Sequence, residues 1–498
     1  MKGLVKNMPE VLKSQRLLFL KVLFSLQIAF LAFLFFQAVS DNHYYLVNED
    51  EVINFCSAKV FSETGSVRAE GCIAENVSRI GEMNWYGPGY SIIYGAAKKF
   101  FGDSPALFIK IHFVWALFTL AIIFLLPVSL EDKLLSGCVL LFAEQFTGYI
   151  FTYFPESFHL LAASVFILLI VLIDQSRDQR KGIIYAVIFT GLALFMVLFR
   201  VTAIFWITAL IGLSQTRKTA VMMILVFMAG LVFTLLYMRY FTAPPYAADM
   251  QKIDRLFEFD VIGFVVKTIR ATGRNTFELL KSGSSGVYGL LMLMLIASIR
   301  WWQTKDRLLL AALLVSSSLV GALMAYYSAG PWYFLKQSAI LIPLLIIALI
   351  ITGSSVKLKY GIFLTALLLS PFMYNNLSAG IQVRRNAFSV LESNRQFHSA
   401  LLELREFINE KENVTILWCY DEFDYGPTAE ALLPFATTSG FPILYTSNIV
   451  KAAETPEVRF QLHNKLKVQY VLSRSPLDLP SLRLVHATQF YHFYKIEK

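Results

Sequence analysis

Residues 215–241 read QTRKTAVMMILVFMAGLVFTLLYMRYF: a polar, doubly basic connector, then an apolar run from Thr219 broken only by Arg239. A helix needs about 20 apolar residues to cross the hydrocarbon core of a bilayer, and this run supplies them. The same alternation recurs outward in both directions. Apolar runs lie near 17–39, 105–127, 134–154, 156–174, 182–199, 201–214, 219–241, 285–302, 308–328, 337–353 and 359–376, which makes eleven expected spans. The fold class is therefore a polytopic α-helical membrane protein.

Composition agrees. The chain has 498 residues, 56% of them hydrophobic and 16% charged, with a mean hydropathy of +0.57. A soluble chain carries roughly a quarter charged residues. The formal charge of +9 does not point to nucleic acid, because the basic residues sit in short gaps between apolar runs and not on one face of a soluble domain.

The positions of those charges set an expected topology. Lys2, Lys6, Lys13 and Arg16 precede a first run too long for a signal-peptide core and without a small-residue cleavage site. It reads as a signal anchor with its amino end in the cytoplasm. The cytoplasmic connections then become Glu131-Asp132-Lys133, residues 176–181, Gln215 to Lys218, Gln303 to Arg307, and Lys357-Leu358-Lys359. All five are short and charged, and four carry the excess of Lys and Arg that the positive-inside rule expects.

The segment 182–214 is read as two short spans and not one tilted helix. A single span buries Arg200 at mid-membrane, at a cost of at least ~2.5–3.5 kcal/mol; the split puts it at a turn on the outer face.

Three extracytoplasmic pieces follow: a loop over 40–104, a loop over 242–284 whose residues 255–281 suggest a helix lying on the membrane surface, and a domain over 378–498. The transmembrane domain is thus 1–377. In the carboxyl-terminal domain, strands are expected at 414–418, 443–445 and 468–473 and a hairpin over 482–496. Helices near 394–409, 428–435 and 457–466 alternate with them, an α/β rhythm. Four cysteines make no disulfide framework. Cys56 and Cys72 share the first loop, where a bridge and two free thiols are both open.

The densest polar cluster is Asp41, His43, Glu49, Asp50 and Glu51, just beyond the first run. An Asp or Glu there is able to take a proton from an acceptor hydroxyl; a solvated acidic loop is the plainer reading. No spacing among them matches a metal motif. Walker, GxGxxG, GxSxG and HExxH patterns do not occur in the chain.

The order Asp50-Glu51-x3-Phe55-x2-Ala58-x2-Phe61-x3-Gly65, followed by Tyr86-Gly87-Pro88-Gly89-Tyr90, Ser91–Phe101 and Gly102, resembles the first extracytoplasmic loop of GT-C glycosyltransferases. These include the protein O-mannosyltransferases and the lipid A aminoarabinose transferases. Where such loops often have His-Pro or Pro-Pro, this chain has Trp85-Tyr86-Gly87-Pro88.

The resemblance implies Asp50 as general base with Glu51 beside it, an acceptor-contacting turn at Tyr86, Pro88 and Gly89, and a second acidic residue at Glu156. Glu156 after Pro155 is equally a carboxylate favoured by a helix amino end. For the carrier phosphate, Arg200 offers a planar fork of donors, Lys336 is second, and Arg270 and Arg274 are weaker. The implied partners are a polyprenyl-phosphate-linked sugar, an envelope glycan, lipid or protein acceptor, and membrane lipids, with no nucleic acid. Some GT-C enzymes use a divalent ion, so magnesium or manganese stays open.

The expected function is a glycosyltransferase of the inner (plasma) membrane, its carboxyl-terminal domain periplasmic. It transfers hexosyl or pentosyl groups with inversion. The rivals are an O-antigen or polysaccharide polymerase or ligase, and a lipid-linked sugar transporter or flippase. A polymerase tends to place its large loop late in the chain. A transporter often shows inverted repeats, which this sequence lacks.

Overall fold

The structure is a computed structural model of the chain. It describes residues 2–368 except 41–48, 70–72, 75–76, 79–81, 84–86, 103–105, 153–154, 177, 242–254, 256–257, 282–284, 327–330 and 354–355. Beyond them it describes 377–378, 381, 415–419, 443–445, 468–473, 476–478, 480–488 and 491–497. The chain folds into two compact units.

The first unit comprises Met1–Gln37, Lys110–Phe151 and Pro155–Ser378 and is helical. It holds α1 (Lys2–Val39, which runs on past the unit), most of α4 (Ala106–Leu125), α5 (Leu130–Phe142), α6 (Glu144–Ile150), α7 (Glu156–Gln175) and α8 (Gln179–Val197). After a 3-10 helix (Val201–Ile207) come α9 (Thr208–Leu213), α10 (Arg217–Phe241), α11 (Val261–Lys281), α12 (Ser285–Thr304), α13 (Arg307–Tyr326) and α14 (Pro331–Thr352). A last helix, α15, covers 356–368.

Among the described residues six helices are long and apolar enough to cross a membrane: Lys13–Val39, Ala106–Leu125, Glu156–Gln175, Gln179–Val197, Arg217–Met238 and Arg307–Ala325. Val201–Leu213 and Ile340–Thr352 are shorter apolar helices.

Two expected spans look different in the structure. The run 134–154 is broken at Ala143, whose extended backbone (φ −81°, ψ 118°) separates α5 from α6. The run 201–214 begins as seven residues of 3-10 helix before six of α-helix. β-branched Val201, Thr202, Ile204 and Ile207 are poor α-formers there. At about 2.0 Å and 1.5 Å per residue the pair is about 23 Å long.

Ser129, Asp178 and Asp306 in the short connections are helix caps. Ser129 Oγ accepts from Asp132 N at 3.1 Å and donates to the Asp132 carboxylate at 2.8 Å. Asp178 accepts from Arg180 N at 2.9 Å, and Asp306 accepts from Leu308 N at 2.9 Å and Leu309 N at 3.2 Å. Each satisfies backbone donors that the first turn leaves open.

Burial grades the bundle. On α7, Leu160, Ala163, Phe166, Ile167, Ile170 and Val171 are buried, whereas Val221, Met222, Leu225, Met228 and Val232 of α10 are exposed. Apolar exposure of that extent on one helix suits a lipid-facing position. α9 and α13 pack backbone to backbone at Gly212. A Cβ there meets Ala311 N at 2.7 Å, and Thr208 Oγ1 lies 3.2 Å from Ser318 Oγ. A helix expected within 255–281 is present as α11, capped by Asp260, which accepts from Gly263 N at 2.8 Å. Val261, Ile262, Val265 and Ile269 on it are exposed.

The second unit comprises Ala38–Ile109, Thr152–Phe154 and Ala379–Lys498. Its α2 (Glu49–Thr64) packs on α3 (Pro88–Phe101), with short strand pairs β1 (Arg68–Ala69) with β4 (Glu82–Met83) and β2 (Ile73–Ala74) with β3 (Val77–Ser78) between them in sequence. α2 ends at Gly65, whose φ of 73° favours glycine. A Cβ on Gly95 meets Ala58 O at 2.7 Å, so α3 lies close against α2.

A five-stranded sheet follows, in the order β6-β5-β7-β9-β8. Its strands are β5 (Thr415–Cys419), β6 (Ile443–Tyr445), β7 (Val468–Ser473), β8 (Leu482–Ala487) and β9 (His492–Ile496). β5 is parallel to β6 and β7, and β9 is antiparallel to β7 and β8. The expected strands and hairpin are therefore all present; the three expected helices lie outside the described residues.

Candidate functional site

Glu156 and Arg200 are brought together from 44 residues apart. Arg200 Nη2 donates to Glu156 Oε1 at 2.6 Å, with the two side chains only 5% and 1% exposed. Glu156 is the first residue of α7, behind Pro155, where the free N–H groups and the helix dipole favour a carboxylate. Arg200 follows the turn that ends α8. Its N–H donates to Met196 O at 2.9 Å, and its carbonyl accepts from Ala203 N at 2.9 Å to start the 3-10 helix. The turn expected at Arg200 is there, and the guanidinium points into the bundle.

Charge balance explains the arrangement. An isolated buried ion is very costly, and a paired one still needs close geometry to offset its desolvation. Glu156 Oε2 is buried with no hydrogen-bond partner among the described residues. His159, one turn along α7, is 4% exposed and lines a small cavity of about 20 Å³ with Arg200, Phe166, Thr202 and Trp206. That is room for about one water. Phe166 stacks on Trp206 at 4.6 Å, and Trp115, Phe158 and Phe199 form a ladder with 4.9 Å steps. Aromatic walls keep the ion pair dry.

His159 was not among the expected site residues. Its signal was its spacing: Glu156-x2-His159 places both on one helix face. Spacing along the chain carries no sign that Arg200 joins them.

The other expected residues fare differently. Asp50 and Glu51 fall in the first turn of α2, and their side chains lie outside the described residues, as do Asp41, His43, Cys72 and Tyr86 and the side chain of Cys56. Gly87 (φ 86°) and Pro88 form the start of α3, with Gly89 buried in its first turn. Lys336 falls within α14, its side chain outside the described residues. Arg270 and Arg274 are exposed on α11.

No family model and no curated protein matches the chain. Solved structures do. ArnT from Cupriavidus metallidurans bound to undecaprenyl phosphate is 10% identical, with a TM-score of 0.53 over 95% of this chain and 97% of that one. The fold is GT-C. A second GT-C structure, the Archaeoglobus fulgidus oligosaccharyltransferase in complex with Zn and sulfate, is 14% identical with a TM-score of 0.51 over 86% of this chain. This chain spans 64% of that enzyme's length. The oligosaccharyltransferase AglB of the same organism, in complex with an inhibitory peptide and a dolichol-phosphate, also matches at 14% identity and a TM-score of 0.51.

Within this GT-C fold the Glu156–Arg200 centre does not suit a divalent ion. It offers one carboxylate, already engaged by a guanidinium, and one imidazole. Among the described residues no three His, Cys, Asp or Glu side chains are placed to share an ion.

Proposed function

We propose that the chain is a membrane glycosyltransferase that moves a sugar from a polyprenyl-phosphate carrier to an envelope glycan, lipid or protein acceptor. The observation that carries this is the near end-to-end likeness to an ArnT structure holding undecaprenyl phosphate; the dolichol-phosphate complex of AglB supports the same donor class. In this reading the eleven apolar runs all span the plasma membrane. Residues 1–377 form the transmembrane domain and 378–498 an extracytoplasmic one, with transfer on that outer face.

The reaction proceeds with inversion. Asp50, with Glu51 beside it, takes the proton from the acceptor hydroxyl, whose oxygen attacks the anomeric carbon. The bond from that carbon to the phosphate oxygen breaks, and its electron pair leaves with the polyprenyl phosphate. Arg200 compensates the phosphate charge. In the described structure its Nη2 donates to Glu156 beside a cavity of about one water, so the phosphate exchanges with the Glu156 carboxylate. The displaced Glu156 carboxylate keeps its charge, so it turns to water or another donor as the phosphate arrives. Lys336 is the second phosphate contact, and the turn at Tyr86, Pro88 and Gly89 meets the acceptor.

The test is release of free polyprenyl phosphate by the purified protein in lipid nanodiscs. It is given a panel of polyprenyl-phosphate sugars and an envelope extract, with Asp50→Asn and Arg200→Gln alongside. Sugar-dependent release, lost in both folded variants, is the expected result. Release unaffected by Asp50→Asn moves the base elsewhere, and a product that retains configuration sinks the inverting scheme. No release with a panel that includes the native sugar favours a polymerase or transporter. Repeating the assay with chelator, then with magnesium or manganese, decides whether the donor phosphate also takes an ion.

A further inference from the structure

The connection between α12 and α13 contains a lysine in a conformation that suits glycine. Lys305 has φ 52°, and its N–H donates to Trp301 O at 2.7 Å, closing α12 with a left-handed residue. Only glycine adopts this backbone without crowding at Cβ. The lysine ammonium lies over two indoles, 3.8 Å from the Trp302 ring centre and 4.8 Å from that of Trp301. Strained residues of this kind cluster at ligand clamps and other functional sites.

Beside it, α12 and α13 enclose an open groove of about 460 Å³. Ile299, Trp301, Trp302, Leu310, Leu313 and Leu314 line it. From Leu310 to Ser317 it follows α13 for about 10 Å at 1.5 Å per residue.

The charges at its mouth are unbalanced. Asp306 is spent on capping α13, and Arg307 pairs with Asp174 at 3.2 Å. Arg300 reaches only the neutral Gln303, at 3.3 Å, and Lys305 has no carboxylate partner among the described residues. Two cations therefore stand over an apolar trough, with Trp302 70% exposed between them and the surroundings.

We propose that this groove binds one anionic phospholipid. The headgroup phosphate sits on Lys305 and Arg300, and an acyl chain lies along Leu310, Leu313 and Leu314. A soluble anion has no use for the apolar walls, and a zwitterionic lipid brings no net negative charge to the two cations. On the topology proposed above, this end faces the cytoplasmic leaflet, whose anionic lipids attract basic residues near the surface.

The experiment is native mass spectrometry of the full-length protein in mild detergent, offered phosphatidylglycerol and phosphatidylcholine with identical chains. Phosphatidylglycerol is retained in preference. Lys305→Gly relieves the backbone and keeps the fold, yet reduces the preference about fivefold. Arg300→Gln reduces it by a similar factor, and Trp302→Ala lowers retention of both lipids. Equal retention of the two lipids by the wild type, or a preference unchanged in Lys305→Gly, overturns the proposal. So does undecaprenyl phosphate displacing phosphatidylglycerol in a Lys305-dependent way, which makes the groove a carrier site instead.

Discussion

The two ends of α7 use charge in opposite ways. At its amino end one ion pair, Glu156–Arg200, lies almost wholly out of solvent, walled by aromatic rings. At its carboxyl end Asp174 meets Arg307 at 3.2 Å with both side chains about a third exposed, and Gln175 donates to Pro127 O at 3.2 Å. The connection from Pro127 leads into a second, half-buried cluster. There Lys359 bonds Asp132, Tyr360 donates to Glu131 at 2.8 Å, and Arg16 lies 4.0 Å from Glu131. The wet end joins α1, α5, α7, α13 and α15 through several pairs, of which the exposed Asp174–Arg307 contributes little. The dry end holds a single pair whose desolvation consumes most of its attraction. A chain that needed only to staple helices has the cheaper solution at hand, so the dry pair is the end to associate with chemistry.

Stability separates the two ends most sharply. Glu156→Ala strands a buried guanidinium and is expected to cost about 3–5 kcal/mol, read as a fall in the denaturation midpoint in detergent. Replacing both partners, Glu156→Gln with Arg200→Met, restores most of that while leaving no transferase activity. A loss under 1 kcal/mol for the single variant would mean that water reaches the pair.

Geometry comes next. Arg200→Lys keeps the charge and loses the planar fork. It is expected to lower polyprenyl-phosphate release by about thirtyfold, the equivalent of about 2 kcal/mol for a bond between charged groups, with the fold intact. Unchanged turnover would reduce Arg200 to a counter-ion for Glu156.

At the wet end, Asp174→Asn is expected to cost only about 1 kcal/mol, measured in the same denaturation assay. Activity should hold. Smallest of all is the salt response. Raising ionic strength to about 1 M shortens the screening length to about 3 Å, and should erase the Asp174→Asn difference but leave that of Glu156→Ala.

The legibility of the molecule divides along the same line. Wherever solvent or lipid acts on each residue separately, the chain announces its structure. The run after Lys218 becomes α10, the polar connections at 129–133, 176–181 and 303–307 hold helix caps, and the carboxyl-terminal strands appear within a residue of their expected bounds. Breaks that depend on neighbours were not legible. Ala143 is an ordinary helix former, and its extended backbone between α5 and α6 has no marker in the sequence.

The site shows the same limit. Sequence order alone determined that Glu156 begins a helix and that Arg200 sits at a turn, because burying an unpaired guanidinium at mid-membrane costs too much. It also determined that His159 shares a face with Glu156, by helical spacing. Only the tertiary structure decided that these three meet. Partner choice between buried charges is settled by which helix ends pack together, and that information is spread over the whole bundle and carried by none of the three residues.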